Sequence, residues 1–149
     1  MTMNDEPRLI KGGIAVDDRG SVSFTNDFHF EGVKRYYMIR NHRQGFIRAW
    51  HGHRFEGKYF TVVKGSALVC GVKIDDWANP SRSLPVHRYV LTDIAPSVLY
   101  LPGGYANGEM SLTEDAQIMV FSTSTLQESV NDDVRWDQNH WNPWTIESR

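Results

Sequence analysis

The sequence is nearly devoid of cysteine: Cys70 stands alone among 149 residues. No intramolecular disulfide can form, and a single thiol suits a reducing compartment. Neither sign of charge dominates, with 16 Lys and Arg against 18 Asp and Glu for a net charge of −2. The basic surface that nucleic acid or an anionic membrane demands is therefore missing. No apolar run reaches the length of a membrane span, and the opening MTMNDEPRLIKGG lacks the apolar stretch of a secretory signal. A cytoplasmic location is expected. Helical periodicity is almost absent as well. What is present is a 40% hydrophobic, 12% aromatic composition, enough to bury a core and to exclude intrinsic disorder. The length suits one domain over residues 1–149.

Gly and Pro punctuate the chain at short intervals, and between them lie SVSFT, KRYYMI, KYFTVV, SALVCGV, HRYVL, SVLYL and AQIMVF. Short β-branched and aromatic segments at this spacing predict an all-β sandwich or barrel. One helical turn is predicted after Thr125, where Glu128 completes a capping box. The core is expected over about residues 17–136, with a tail over 137–149 pinned to the body by Trp136, Trp141 and Trp144. Phe60, Val62, Leu68, Ile118 and Val120 are core candidates, and Cys70 reads as a core residue in an apolar strand.

One stretch carries a dense set of chemically active side chains, from Gly45 through Arg48, His51, His53 and Lys58 to Gly65. In a strand, His51 and His53 share a face. A turn over Arg54–Gly57 and a hairpin would then return the Lys58 ammonium towards both imidazoles. Strict alternation puts Arg48 on the opposite face, so a bulge, a rim position or a partner subunit is needed to bring it to the same site.

The spacing of Gly45, His51, His53, Lys58 and Gly65 resembles the first cupin motif, with Lys58 in the place of a metal-binding glutamate. Pro102-Gly103-Gly104-Tyr105-Ala106-Asn107 resembles the second, with Asn107 in the place of histidine. The implied fold is a single-domain cupin jelly-roll barrel. A divalent cation would sit within about 2–3 Å of its ligands. A protonated Lys58 there would repel it by several kcal/mol at ~4 Å in a low-dielectric cavity, and Asn107 is a poor substitute for imidazole. A site without metal or other cofactor is expected. Imidazole with a pKa near 6.5 can take a proton at cellular pH, and an ammonium can hold a developing oxyanion. Together they are equipped to remove a proton α to a ketone.

The sequence resembles the dTDP-4-dehydrorhamnose 3,5-epimerase family over most of Asp17–Trp136. The resemblance rests on Asp18-Arg19-Gly20, Ile47-Arg48-Ala49-Trp50-His51, Gly57-Lys58, Lys73-Ile74-Asp75-Asp76 to Ser81, Tyr100 through Gly108, and Val134-Arg135-Trp136-Asp137. It implies a homodimer acting on a nucleotide-diphosphate-linked 4-keto-6-deoxy sugar, such as dTDP-4-keto-6-deoxyglucose, in carbohydrate and lipopolysaccharide biosynthesis. His51 would be the base, Lys58 the positive group at the keto oxygen, and His53 a shuttle or orienting partner. Arg19 and Arg48 would hold the diphosphate, a bidentate role suited to guanidinium, and Asn107 would contact substrate. The family's acid tyrosine aligns with Phe121, and its histidine-orienting aspartate has no counterpart after Trp136.

His51-Gly52-His53, after Arg48, and Val33-Lys34-Arg35-Tyr36-Tyr37 are similar to sugar-nucleotide 3,4-ketoisomerases. Those move a proton between adjacent carbons on one face and need no opposite-face acid. Epimerase-like chemistry is the leading expectation and ketoisomerisation the alternative. A catalytically silent sugar-nucleotide-binding module and a metal-dependent cupin oxygenase also remain open. Tyr37 and Tyr105 are the residues able to replace the missing acid.

Overall fold

Segments rich in Val, Ile, Phe and Tyr bury one face of a pleated sheet and expose or cover the other. The computed structural model describes residues 6–149; residues 1–5, part of the opening stretch read above for a signal, lie outside the described residues. Twelve strands and one short helix follow in order: β1 (Arg8–Lys11), β2 (Gly13–Asp17), β3 (Gly20–Phe24), β4 (Arg35–Arg40), β5 (Ile47–His53), β6 (Lys58–Lys64), β7 (Ser66–Lys73), β8 (His87–Thr92), β9 (Ser97–Leu101), β10 (Tyr105–Ser111), β11 (Gln117–Ser122), α1 (Leu126–Val130) and β12 (Val134–Arg135). Every segment named from composition is a strand, and α1 opens on the predicted capping box, with Thr125 and Glu128 each accepting the other's backbone N–H.

The strands form two five-stranded antiparallel sheets, β1-β9-β6-β11-β4 and β12-β5-β10-β7-β8, plus the separate hairpin β2-β3. From β4 to β11 the chain repeatedly crosses between the two sheets, as a jelly roll does. The segment Arg54–Gly57 is one of these crossings. The predicted β5–β6 hairpin is therefore incorrect, because β5 and β6 lie in different sheets. Lys58 still approaches the histidines, but from the facing sheet.

Phe60, Val62, Val69, Leu99, Ile118 and Val120 meet between the sheets in one buried cluster. Full burial of such a side chain contributes about 1.5–3 kcal/mol. Trp50, Leu68, Cys70, Val72 and Met110 face the other way and are roofed by the C-terminal tail, where Trp141 and Trp144 are buried. The Trp50 indole donates to the carbonyls of Gln138 and Trp141, and Trp50 and Trp136 exchange both backbone hydrogen bonds, at 3.0 and 3.1 Å. The tail is thus pinned as expected, directly behind the strand that carries His51.

Candidate active site

Polar residues from both sheets line a cavity of about 350 Å³: Tyr37 and Lys58 from one, Arg48, His51, Asn107 and Glu109 from the other. On β6, Lys58 has the same parity as the core residues Phe60 and Val62 and so points inward. Its Nζ lies 3.4 Å from His53 Nε2 and donates to Asn107 Oδ1 at 3.2 Å. The two positions that replace metal ligands in the cupin motifs are therefore bonded to each other.

β5 reaches this cavity with a bulge. Across β10, His51 pairs with Asn107 but Arg48 pairs with Glu109, so three steps on β5 match two on β10. Ala49 and Trp50 both pack against the tail cluster. The extra residue returns Arg48 to the cavity face, beside His51. Here strict alternation, which put Arg48 on the far side, is overturned. Arg48 donates to Asn41 Oδ1 at 2.7 Å.

Burial, then the Lys58 and Arg135 charges, lower the His51 pKa to about 4, against a smaller opposing effect of Asp133. The ring is neutral at cellular pH and able to accept a proton. His53 is lowered by the same leading cause, burial, followed by Lys58. Lys58 is pushed below the usual lysine range by burial, against the nearby carboxylates Glu56 and Glu109.

Sequence reasoning missed the carboxylate behind His53. Glu56 Oε1 lies 3.2 Å from His53 Nδ1, outside hydrogen-bond alignment. Glu56 also accepts from Ser129 Oγ at 2.8 Å, from Ser122 Oγ, and from Arg35 at 3.3 Å. With Lys58 donating to Nε2, the ring proton belongs on Nδ1, facing Glu56. Asp132 fixes the crossing by accepting from the backbone N–H groups of Arg54, Phe55 and Glu56 at 2.8, 2.9 and 3.2 Å. The spacing His53-x-x-Glu56 is the one sequence signal for this arrangement.

Two expectations change. Phe121 does not face the cavity: on β11 the inward residues are Ile118, Val120 and Ser122, and Phe121 packs outside against Phe28 and Phe30 at ring distances of 5.4 and 5.3 Å. It therefore does not occupy the acid position. The tyrosine among the residues lining this cavity is Tyr37, paired with Val120 on the wall opposite His51. Arg19 is not brought to the cavity. It sits at the tip of the exposed β2-β3 hairpin, paired with Asp17.

The family model described as dTDP-4-dehydrorhamnose 3,5-epimerase matches residues 7–147. The chain belongs to this enzyme family. No curated protein matches the sequence. Among solved structures, a dTDP-4-dehydrorhamnose 3,5-epimerase from Bacillus anthracis with TDP and pyrophosphate bound is 18% identical, with a TM-score of 0.76, covering 96% of this chain and 87% of its own. A mutant of the 3,4-ketoisomerase QdtA from Thermoanaerobacterium thermosaccharolyticum, in complex with TDP-4-keto-6-deoxyglucose, is 20% identical, with a TM-score of 0.67 and 93% of each chain covered. An epimerase of Mycobacterium tuberculosis is 20% identical, with a TM-score of 0.69 and 85% of this chain covered. This member of the 3,5-epimerase family spans 66% of that protein's length. At these identities the structures share its fold, and its own chemistry is read from its residues.

Proposed function

We propose that this protein isomerises a nucleotide-diphosphate-linked 4-keto-6-deoxy sugar by removing a proton α to the ketone, in the manner of a 3,5-epimerase. The observation that carries the reading is the buried Lys58 ammonium beside two neutral imidazoles in a cavity of sugar size. Neutral His51 takes the proton from carbon, and Lys58 holds the negative charge that develops on the carbonyl oxygen. His53, set between Glu56 and Lys58, positions the ammonium. Arg48 binds a phosphate at the cavity wall, and Asn107 contacts the sugar. Tyr37 reaches the substrate from the opposite sheet and returns a proton to the other face, the step that inversion requires.

The exposed hairpin carrying Arg19 supports a homodimer. Val16 and Val22 are 76% and 65% exposed there, on opposite faces of the hairpin, with Ile14 beside Val16 and Phe24 beside Val22, apolar side chains suited to covering by a second copy that clasps the hairpin. The partner copy would then receive Arg19 at its diphosphate.

Incubation with dTDP-4-keto-6-deoxyglucose in heavy water, followed by nuclear magnetic resonance, tests the reaction. Deuterium at C3 and C5, lost in His51→Asn, is the expected result. Tight binding with no exchange at either carbon would identify a silent sugar-nucleotide module instead.

A further inference from the structure

Glu109 is a fully enclosed carboxylate on the wall of the cavity, and nothing above gives it a task. It lies two residues beyond Asn107 on β10, on the same face, roughly 7 Å along the strand. Asn107 Nδ2 points at Glu109 Oε2 at 3.4 Å, and the same Asn107 accepts from Lys58 at 3.2 Å. Lys58, Asn107 and Glu109 therefore form a chain along the cavity wall. Across the strand pair Glu109 faces Arg48, and Tyr37 lines the cavity from the other sheet. Enclosing a carboxylate is costly unless it is paired or protonated, and among the described residues no direct ion pair fixes this one: its polar contact is the Asn107 amide.

We infer that Glu109 is a catalytic residue acting on oxygen, passing a proton between the hydroxyl and carbonyl oxygens of adjacent sugar carbons so that the site can also transfer the keto group from C4 to C3. The inference rests on the α-proton abstraction proposed above. In the first step His51 takes the C3 proton, the C–H pair becomes the C3–C4 double bond, and the carbonyl π pair moves to O4. Protonated Glu109 gives its proton to O4, which leaves an enediol. The Glu109 carboxylate then takes the O3 proton, the O–H pair closes the C3 carbonyl, and the double-bond pair takes the proton from the His51 imidazolium at C4. Both residues end as they began, with no other reactant consumed.

The placement suits this task. His51 and Glu109 stand on neighbouring strands of one sheet, so both approach the sugar from one side, as proton transfer between adjacent carbons requires. Burial raises the Glu109 carboxyl to about 7, against the lowering effects of Lys58, Asn107 and Arg48. Both protonation states are accessible near neutrality. Tyr37 on β4 and Cys70 on β7 also feel its charge, and both stay protonated because burial raises them.

The test follows dTDP-4-keto-6-deoxyglucose in heavy water with the full chain, reading deuterium at C3 and the position of the keto carbon separately. Wild type is expected to exchange at C3 and to form a 3-keto product. Glu109→Gln should slow C3 exchange by about tenfold, because O4 is then held by Lys58 alone, and lose 3-keto formation by about 100-fold or more. Glu109→Asp, which retains a displaced carboxylate, should slow keto transfer by about tenfold and exchange by less; it decides the matter if the Gln variant does not fold. Keto transfer at the wild-type rate in Glu109→Gln overturns the inference. So does wild-type exchange at C3 with no 3-keto product, which leaves the proton abstraction standing. Absence of exchange at both C3 and C5 in the wild type overturns the reaction itself.

Discussion

Replacing Lys58 by Met separates what the ammonium does for catalysis from what it does for the fold. The side chain is enclosed, and desolvating an ammonium costs several kcal/mol even after relaxation. Met has a similar reach and no charge, so that penalty disappears. Against it stand the charge-assisted hydrogen bond to Asn107, worth about 1.5–3 kcal/mol, and attraction to Glu56 and Glu109. These terms oppose each other, and the expected melting temperature is unchanged or raised. Catalysis moves the other way. Loss of a preorganised donor to an oxyanion costs about 10²–10³ in turnover, or 2.7–4 kcal/mol. Circular dichroism establishes the fold, thermal melting the stability, and deuterium exchange at C3 the chemistry. A second signature accompanies these: removing a charge that lowers His51 should move its titration upward, though not fully to 6.5, because burial is the larger cause. A folded Lys58→Met protein that turns over within about threefold of wild type would refute the oxyanion role.

The His51 ring, observed by carbon-13 labelling at Cε1, should titrate near pH 4. Its folded pKa lies below the unfolded value near 6.5, so the unfolded chain gains the proton first, and stability contributed by the neutral ring is lost as the pH falls from about 6.5 to about 4; a midpoint near 6.5 would contradict the buried, Lys58-facing position. The hairpin predicts a dimer in sedimentation that Val16→Ser with Val22→Ser converts to monomer without unfolding, and a wild-type monomer would dismiss the covered-hairpin reading.

The strands were legible wherever β-branched and aromatic residues cluster, since such side chains fill a pleated, half-buried surface. β10 was not legible as a strand: YANGEMS has small and polar residues of low β propensity, and it holds its place because β5 and β7 pair with it on both sides. The same blindness hid Glu109. Once Asn107 is placed on a strand, a residue two further on shares its face, and the parity rule alone would have found it. Arg48 was unreadable for the opposite reason. Alternation is the rule that a bulge breaks, and the register shift beside Glu109 has no marker in composition. Phe121 shows how severe a single step is: the inward position is its neighbour Val120, and a one-residue offset exchanges the two faces of a strand. Glu56 was absorbed into a turn, although its carboxylate is the centre of a buried cluster.

The pairing of β12 with β5 has a further consequence. β5, which holds the proposed base, has β10 on one side and, among the described residues, just β12 and the adjoining Trp136 on the other. Without the tail it would be a border strand, its amides and carbonyls open to any passing polypeptide and its apolar Trp50 uncovered. Proteolytic clipping ahead of Val134 would therefore do more than slacken an imidazole. It would turn a working strand into an adhesive one, and self-association of the trimmed protein should accompany its inactivation.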